Sequence, residues 1–497
     1  MTIFKLNFYC TISALRVTSF CYMEEYPKMT IDVVVLAAGQ GSRMKSLLPK
    51  VLHPIAGKPM LAHVLDSAKA VNADAMHVVI GHGAEKVKTA FENEKNLSWA
   101  LQAEQKGTGH AVMMALDSLA AEGTTLILYG DVPLTQPATL QALIELSTEQ
   151  QLGLLTVNMA DSTGYGRIVR DADKKVTAIV EHKDANAEQL LIKEVNTGIL
   201  AVPTAKLHEW LPTLSNDNAQ GEYYLTDIIA MAVAHGLTVE TLQPENEQET
   251  YGVNNRQQQA ELERWYQTQR VNALMANGVT VLDPARLDIR LGSSLDKTAN
   301  AGLTVGNDVV IDVNVILEGE VTLGDGVEIG PNCIIKNSTL AAGTKVEAFS
   351  HIEDATVAQS CVIGPYARLR PGADLADGAR VGNFCEVKKS QIGAGAKVNH
   401  LTYIGDATIG ANANIGAGTI TCNYDGVNKF KTNIGENAFI GSNSSLVAPV
   451  KIGANATVAA GSTITKEVAA EELAVARGKQ RNISGWQRPV KTELNAK

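Results

Sequence analysis

The chain has 497 residues, too many for one hydrophobic core, and this length predicts two or three domains. Apolar residues make up 45% of the chain and charged residues 19%, which is typical of an ordinary globular protein. The net charge of −10 argues against a protein that coats nucleic acid, although it leaves room for a local basic pocket that binds an anion.

Residues 1–28 contain an apolar stretch that Arg16 interrupts, and no clean run of secretory length forms before Glu24 and Glu25. We expect them to form an extension without a role in the fold. No other segment offers about 20 apolar residues, so no membrane span is predicted. The six cysteines include no Cys-x-x-Cys pair, which fits a reducing cytoplasm better than a disulfide framework or a zinc site.

Residues 29–253 are predicted to form an α/β domain that begins with a buried strand and a glycine loop. The apolar run Val33-Val34-Val35-Leu36 continues into Ala37-Ala38-Gly39-Gln40-Gly41-Ser42-Arg43-Met44. Small residues and glycines let the backbone approach a ligand closely, and a helix after them would direct free N–H groups at phosphate. Taken alone, such a loop could equally be a tight turn.

Strands and helices then alternate, which predicts a Rossmann-like domain with a mostly parallel sheet and ligands at the carboxyl ends of its strands. The expected strands are Met76–Ile80, Leu97–Leu101, Thr125–Tyr129, Gly153–Asn158 and Ile199–Val202, and the expected helices include Met60–Val71 and Pro137–Thr148.

Two cations and a carboxylate strengthen the interpretation of the glycine loop as a nucleotide site. Arg43 and Lys50 follow the loop and could neutralise phosphate. An apolar strand later ends in Gly130-Asp131, where a carboxylate could hold Mg²⁺ for a bound triphosphate. The alternative for Asp131 is a turn residue before Pro133.

A linker and a long repeat follow. Residues 254–278 are predicted to be one amphipathic helix that joins the two domains. Within residues 279–465 an aliphatic side chain returns at nearly every sixth position. Neither a helix nor a simple strand sustains a six-residue period of this kind over about 160 residues. A hexapeptide solenoid does, so we predict a left-handed parallel β-helix. This six-residue beat falls first on Val305, Ile311, Leu317, Leu323, Ile329 and Ile335, and ends at Ile464.

Two segments depart from the repeat. Residues 421–433 are too long for a repeat turn and are a candidate lid or inter-subunit contact. Residues 466–497 are expected to begin with a short helix, Glu467–Val475, and to end in a basic tail that contains Arg477.

Polar side chains interrupt the repeat densely between Arg368 and Tyr424. Because stacked coils bring distant residues onto one wall, Arg370, Lys388 and His400 could converge around an anion such as a sugar phosphate. A lone histidine is more often structural than catalytic, and a solenoid can be pure scaffold.

Several motifs carry a resemblance that covers about residues 30–490. The glycine loop with Pro49-Lys50 looks like the signature of sugar-1-phosphate nucleotidyltransferases. Further motifs narrow the resemblance to the bifunctional N-acetylglucosamine-1-phosphate uridylyltransferase/glucosamine-1-phosphate acetyltransferase family. They are Gln102-Ala103-Glu104-Gln105-Lys106-Gly107-Thr108-Gly109, Tyr129-Gly130-Asp131, Gly164-Tyr165-Gly166-Arg167, Val180-Glu181-His182-Lys183, Asn196-Thr197-Gly198, Gly252-Val253-Asn254-Asn255 and Asn399-His400-Leu401-Thr402-Tyr403-Ile404-Gly405.

The resemblance implies that the first domain transfers UMP from UTP to N-acetylglucosamine 1-phosphate and releases pyrophosphate. Lys50 and Arg43 would offset phosphate charge, and Asp131 and Asn254 would bind Mg²⁺. The alternatives are a helix N-cap for Asn254 and a surface carboxylate for Glu181. The residues implied to hold UTP and the UDP-sugar are Leu36, Ala37, Ala38, Gly39, Lys50, Gln102, Gly107, Thr108, Tyr129, Gly130, Asp131, Gly166, Glu181, Asn196 and Asn254.

The resemblance implies that the solenoid acetylates glucosamine 1-phosphate with acetyl-CoA, with His400 as the base, and that the protein is a homotrimer in the cytoplasm. Its product would serve cell-wall and lipopolysaccharide precursor synthesis. The residues implied to bind the sugar phosphate are Arg370, Lys388, Tyr403 and Asn414, and those implied to bind acetyl-CoA are Ala417, Asn423, Tyr424, Ser442, Ala460 and Arg477.

Two alternatives remain at this point. The first is a nucleotidyltransferase with a single activity whose β-helix only oligomerises, which the polar cluster around His400 disfavours. The second is an inactive assembly scaffold, which the intact Lys50 and Asp131 disfavour.

Overall fold

A computed structural model describes residues 30–290 and 302–490. The expected extension 1–28, Cys10 and Cys21 and the last residues of the basic tail lie outside these ranges. Within them, Cys333, Cys361, Cys385 and Cys422 are free thiols. None of the helices in the described ranges is both long and apolar enough to cross a membrane.

The first domain is an alternation of strands and helices. Strands β1–β11 are Ile31–Ala37, Pro54–Ile55, Lys58–Pro59, Ala75–Ile80, Leu97–Leu101, Thr124–Tyr129, Gln151–Asn158, Arg167–Arg170, Val176–Val180, Glu194–Pro203 and Thr238–Leu242. Helices α1–α6 are Met60–Ala70, Ala84–Ala90, Thr108–Met113, Pro137–Glu145, Thr204–Trp210 and Asp227–Ala234.

The main sheet of this domain is mostly parallel, which confirms the predicted fold class. Its strand order is β11-β7-β10-β6-β1-β4-β5, and β10 runs antiparallel to β6 and β7. Strand β1 is buried along nearly its whole length and pairs in parallel with both β4 and β6. The carboxyl ends of β1, β4, β5 and β6 therefore meet at one edge, where ligands bind in such sheets.

Helix α7, Arg256–Ala276, joins the two domains and packs against both. Leu262 belongs to a core cluster of the first domain, whereas Val271 belongs to the core of the solenoid. Gln267 is fully buried. Its side chain donates to the carbonyl of Ile289 at 3.0 Å and accepts from the backbone N–H of the same residue at 2.9 Å. These two hydrogen bonds join the helix to the first coil of the solenoid.

The second domain is a parallel β-helix whose short strands, over the residues that the structure describes, stack in two sheets of 11 and 17 strands. Every residue of the hexad beat named above from Ile311 to Ile464 is buried in one continuous core, and Val305 packs against it. Strands β12–β25 are Thr280–Val281, Asp288–Arg290, Leu303–Val305, Val310–Ile311, Ile316–Leu323, Glu328–Ile329, Ile334–Leu340, Lys345–Val346, His351–Glu353, Thr356–Val357, Val362–Ile363, Arg368–Leu369, Ala373–Leu375 and Arg380–Asn383. Strands β26–β39 are Glu386–Lys388, Ser390–Ile392, Lys397–His400, Tyr403–Gly405, Ala407–Ile409, Asn414–Ile415, Ile420–Cys422, Thr432–Ile434, Phe439–Ile440, Ser445–Val447, Val450–Ile452, Thr457–Val458, Thr463–Ile464 and Leu473–Ala474.

The end of the solenoid differs from the expectation. The segment expected as a helix, Glu467–Val475, is not helical and instead contains strand β39, which pairs in parallel with β37. The open edge of the preceding coil offers hydrogen bonds to this segment, and those tertiary contacts outweigh the helical preference of its Ala, Glu and Leu residues.

Candidate active sites

The glycine loop after β1 lies at the edge of the first sheet where the carboxyl ends of its parallel strands meet. Gly41 has a φ of +63°, and a Cβ at that position would lie 2.7 Å from Cβ of Lys50. Glycine is therefore required both for the backbone conformation and for the close passage of Lys50. The helix expected after the loop is only a 3₁₀ turn over Ser42–Met44, too short to present the N-terminus of an α-helix to phosphate.

Two cations converge on two oxygen-bearing side chains beside this loop. The ammonium of Lys50 forms an ion pair with the carboxylate of Asp131 and lies 3.3 Å from Oδ1 of Asn254. The guanidinium of Arg43 donates to the same Oδ1 at 2.9 Å. The side chain that caps α7 is Asn255, which accepts from the backbone N–H of Gln258, so the alternative of Asn254 as the N-cap is wrong.

The donor set at this point suits Mg²⁺. One carboxylate and one amide oxygen both lie within reach of the Lys50 ammonium, and Mg²⁺ prefers one or two carboxylates completed by phosphate oxygens and water. The backbone N–H of Val253 donates to the carbonyl of Asp131 at 2.9 Å, which holds the segments that carry Asp131 and Asn254 together. Among the described residues, no three His, Cys, Asp or Glu side chains cluster as a protein-only metal cage.

The segment that leads from β5 into α3 lies at the same edge of the sheet. The buried amide of Gln102 donates to the carbonyl of Gly107 at 3.0 Å. Gly107 has a φ of +104°, and a Cβ there would lie 2.6 Å from the carbonyl oxygen of Tyr223. The hydroxyl of Thr108 accepts from the backbone N–H of Leu225 at 3.2 Å. These contacts fix the start of α3, and the side chain of Gln105 in the same turn donates to the carbonyl of Ala38 in the glycine loop.

A third group lies beyond the end of β6, around Tyr129. The backbone N–H of Asn196 donates to the carbonyl of Gly166 at 2.9 Å, and Glu181 accepts from the hydroxyl of Thr226 at 3.2 Å. Burial raises the pKa of the Glu181 carboxyl. This carboxyl is therefore partly desolvated and hydrogen-bonded, which argues against a plain surface carboxylate.

On the solenoid, a cationic cluster stands on the 17-stranded sheet. The pairing of β23 with β26 sets Arg370 one coil below Lys388. Arg370 donates to Glu386 at 2.7 Å, and this pair raises the pKa of the guanidinium. The pKa of the Lys388 ammonium is lowered, chiefly because the ammonium of Lys429 lies against it. Two adjacent ammonium groups form a site for an anion.

Lys429 comes from the segment 421–433, which folds back as a hairpin loop. Tyr424 and Lys429 form an antiparallel bridge, and Asp425 accepts from the backbone N–H groups of Val427 and Asn428. Glu386 and Lys429, which contact Arg370 and Lys388, were not among the residues that the sequence predicted for this cluster. The length of the interruption indicated a functional loop, but nothing in it pointed to one lysine.

His400 lies on the other sheet of the solenoid, the 11-stranded one, in a column of residues that occupy the same position in successive coils. Successive backbone hydrogen bonds place Asn383, His400, Ala417, Ser442 and Ala460 at equivalent positions of successive coils. On the carboxyl side of His400 the column holds only Ala and Ser, which leaves a shallow track. At the end of the track the guanidinium of Arg477 donates to the carbonyl of Ala460 at 2.8 Å.

The expected convergence of His400 with the cations is incomplete within one chain. Lys388 and Tyr403 lie on the 17-stranded sheet and Arg370 directly follows its strand β23, whereas Asn414 lies on the 11-stranded sheet. Among the described residues, no hydrogen bond or ion pair joins the imidazole of His400 to Arg370 or Lys388.

Comparisons with known proteins agree with this architecture. A MobA-like NTP transferase domain matches residues 33–191. A GMPPB C-terminal domain matches residues 300–376, and a bacterial transferase hexapeptide (six repeats) matches residues 431–466. The Bifunctional protein GlmU of Pseudomonas putida (strain GB-1) is 60% identical over 465 residues, which cover 94% of this chain and 100% of that protein. The Bifunctional protein GlmU of Cellvibrio japonicus (strain Ueda107) is 61% identical over 461 residues, covering 93% of this chain and 99% of that protein.

The chain belongs to the bifunctional GlmU family.

Membership of the GlmU family confirms the activity that the sequence motifs implied. The protein is a bifunctional enzyme that acetylates glucosamine 1-phosphate with acetyl-CoA and transfers UMP from UTP to N-acetylglucosamine 1-phosphate, with Mg²⁺. The alternatives of a single nucleotidyltransferase activity and of an inactive scaffold are excluded.

Proposed function

We propose that the two reactions take place at separate sites, uridylyl transfer at the edge of the α/β sheet and acetyl transfer on the solenoid. The observation that carries this division is the presence of two clusters with different chemistry. Lys50, Arg43, Asp131 and Asn254 suit a polyphosphate with a metal ion, whereas His400 and the cations near Lys388 suit a sugar phosphate and proton transfer.

In uridylyl transfer, a phosphate oxygen of N-acetylglucosamine 1-phosphate attacks the α-phosphorus of UTP, and the bond to the leaving pyrophosphate breaks. The attacking oxygen is already anionic, so the site needs no general base. Lys50 and Arg43 offset the charge on the phosphates and hold the reactants in line. Asp131 and Asn254 would hold Mg²⁺, which would neutralise phosphate charge there.

The contacts at the sheet edge support the remaining assignments in this domain. The segment Leu36–Gly39 and the β5–α3 turn with Gln102, Gly107 and Thr108 face each other and would hold the uridine nucleotide. Near the end of β6, a second set would hold the amino sugar and the pyrophosphate link: Tyr129, Gly130, Gly166, Glu181 and Asn196.

In acetyl transfer, the amine of glucosamine 1-phosphate attacks the thioester carbon of acetyl-CoA, the carbon–sulfur bond breaks, and CoA leaves as the thiolate. His400 removes the proton that the nitrogen loses, because imidazole titrates in the range that this step requires. Arg370 and Lys388 bind the phosphate, with Lys429 as a third cation. Tyr403 lies on the same wall.

The track beside His400 supports the binding of acetyl-CoA. An extended thioester arm would run over Ala417, Ser442 and Ala460 towards the cation of Arg477. Asn423, whose side chain donates to Asp406 at 2.5 Å, and Tyr424 would approach from the loop side.

We further propose a homotrimer in which the acetyl-transfer site is shared between chains. Asn414 and His400 lie on one sheet and Arg370 and Lys388 on another, so a neighbouring chain would complete each set. An exposed column of Phe349, Tyr366 and Phe384 stacks beside these residues, with ring centroids 4.9 and 5.2 Å apart. Exposed aromatic stacks of this kind favour a protein partner. The free thiols support a cytoplasmic location.

Omission of single substrates tests the order of the reactions. Glucosamine 1-phosphate, acetyl-CoA, UTP and Mg²⁺ are supplied together, each is then left out in turn, and the release of CoA and pyrophosphate is followed. Pyrophosphate release should require acetyl-CoA whenever glucosamine 1-phosphate is the only sugar. Pyrophosphate release without acetyl-CoA would contradict this order.

Two variants test the division between the sites. His400→Ala should lower acetyl transfer by about 10²- to 10⁴-fold, the usual contribution of a positioned base, and leave uridylyl transfer intact. Asp131→Ala should have the converse effect. Normal acetylation by the first variant would remove His400 from the mechanism, and normal UDP-sugar formation by the second would remove Asp131 from the metal site.

A further inference from the structure

The imidazole of His400 has one hydrogen-bond partner among the described residues. Its Nδ1 lies 3.1 Å from Oδ1 of Asn383, which occupies the same position one coil earlier. On the other side of the column is Ala417, which has no polar side chain. The backbone of His400 is held separately, since its carbonyl accepts from the hydroxyl of Thr402 and from the backbone N–H of Gly418.

The position of Asn383 is itself fixed by the solenoid. Asn383 and His400 are paired residues of the parallel strands β25 and β28, and the carbonyl of Asn383 accepts from the backbone N–H of Leu401 at 3.1 Å. The pair is therefore a product of coil stacking, since the two partners are 17 positions apart in the chain. Asn383 does not belong to the motif around His400.

An oxygen acceptor at Nδ1 selects one form of neutral imidazole. A neutral imidazole has one protonated and one unprotonated nitrogen, and the hydrogen bond made by one nitrogen decides which form is present. With Oδ1 as the acceptor, Nδ1 carries the proton and Nε2 has the free lone pair. Only an unprotonated nitrogen can take the proton of the amine.

We propose that Asn383 is a positioning residue that holds His400 with Nδ1 protonated and Nε2 free to act as the base. This inference rests on the proposed role of His400 and adds to it the group that orients it. The charged residues on the same two strands, Arg380 and Lys397, lie three residues before the pair. Among the described residues, no carboxylate forms an ion pair with the imidazole, so the neutral amide oxygen of Asn383 alone orients it.

The first test is Asn383→Leu, which keeps the side-chain volume but removes the acceptor. We expect kcat of acetyl transfer to fall about 10- to 100-fold, as when the partner that orients a functional histidine is lost, with KM for glucosamine 1-phosphate unchanged. The matched control is Gln391→Leu, an amide-to-leucine change at an exposed position of the same region of the solenoid. Uridylyl transfer serves as the internal control for folding.

The second test is Asn383→Asp, which restores an acceptor and adds a negative charge. Most of kcat should return, and the acid limb of its pH profile should move up by about 1 unit, because a carboxylate beside imidazole stabilises the protonated form. A purely structural role of Asn383 would not move this limb.

The outcomes separate the two hypotheses. If Asn383→Leu retains the kcat of Gln391→Leu, or if Asn383→Asp leaves the acid limb in place, Asn383 does not position the base. If His400→Ala in the same assay retains acetyl transfer, the base assignment itself is wrong. Loss of activity in His400→Ala with full activity in Asn383→Leu overturns only the role of Asn383.

Discussion

Gly198 offers a test of how closely the backbone must approach Tyr129 in the uridylyl-transfer site. It lies on β10 where the pairing with β7 shifts register, and its φ is +86°. A Cβ built on Gly198 would lie 2.5 to 2.8 Å from three atoms of the Tyr129 phenol, Cε2, Cζ and the hydroxyl oxygen. Gly198→Ala must therefore strain the backbone and also displace the ring.

The two costs can be separated with a second glycine. The positive φ alone costs a residue with a Cβ about 1–2 kcal/mol. Overpacking against the partly buried Tyr129 ring adds about 1–3 kcal/mol. Gly236 follows α6 in the same domain with a φ of +80°, and a Cβ there would meet no atom within 4 Å. Gly236→Ala should carry the first cost only.

Urea unfolding of the α/β domain measures the difference, with the fluorescence of the fully buried Trp210 as a reporter. Gly198→Ala should be less stable than Gly236→Ala by about 1–3 kcal/mol. It should also raise KM for N-acetylglucosamine 1-phosphate, while acetyl transfer on the solenoid is unchanged in both variants. Equal stability and equal KM in the two variants would refute the inferred contact between Gly198 and Tyr129.

Three further predictions concern other parts of the chain. A Cβ on Gly405 would clash with the hydroxyl of Tyr403, so Gly405→Ala should raise KM for glucosamine 1-phosphate about tenfold in a CoA-release assay, and an unchanged KM would contradict the role of Tyr403. Gln267→Leu should lower the unfolding free energy in urea by about 2–4 kcal/mol, because both backbone groups of buried Ile289 lose a partner; a loss below about 1 kcal/mol would show that water replaces the amide. Burial lowers the pKa of His63 to about 4, below its ordinary value of 6.5, so the unfolded chain takes up the proton first and stability falls as the pH falls through this window. Unfolding free energy should drop by about 2 kcal/mol between pH 7.5 and pH 5, and His63→Asn should abolish that part of the slope.

The elements that the sequence predicted well are those whose pattern is local. The strand that ends at Leu36 is a continuous apolar run because both of its faces are buried, and the aliphatic beat from Ile311 to Ile464 marks the core positions of the solenoid directly. Lys50 and Asp131 could be assigned to one site because each follows a parallel strand or its loop at the same sheet edge.

The elements that were predicted wrongly depend on partners distant in sequence. The segment Glu467–Val475 has a helical composition, but β39 forms because the edge of β37 is free to pair with it. The loop after β1 ends in a 3₁₀ turn over Ser42–Met44, which is followed at once by Lys45 in the left-handed region with a φ of +48°. Local preference is weak enough for such contacts to override it.

The sequence by itself determined the two architectures, their order and the residue types available for each reaction, because periodicity and short motifs are properties of neighbouring residues. Only the tertiary structure decided which side chains meet. Asn383 reaches His400, and Lys429 reaches Lys388, because coils of about 17 or 18 residues stack and an inserted hairpin folds back, with contacts between residues that no local pattern connects.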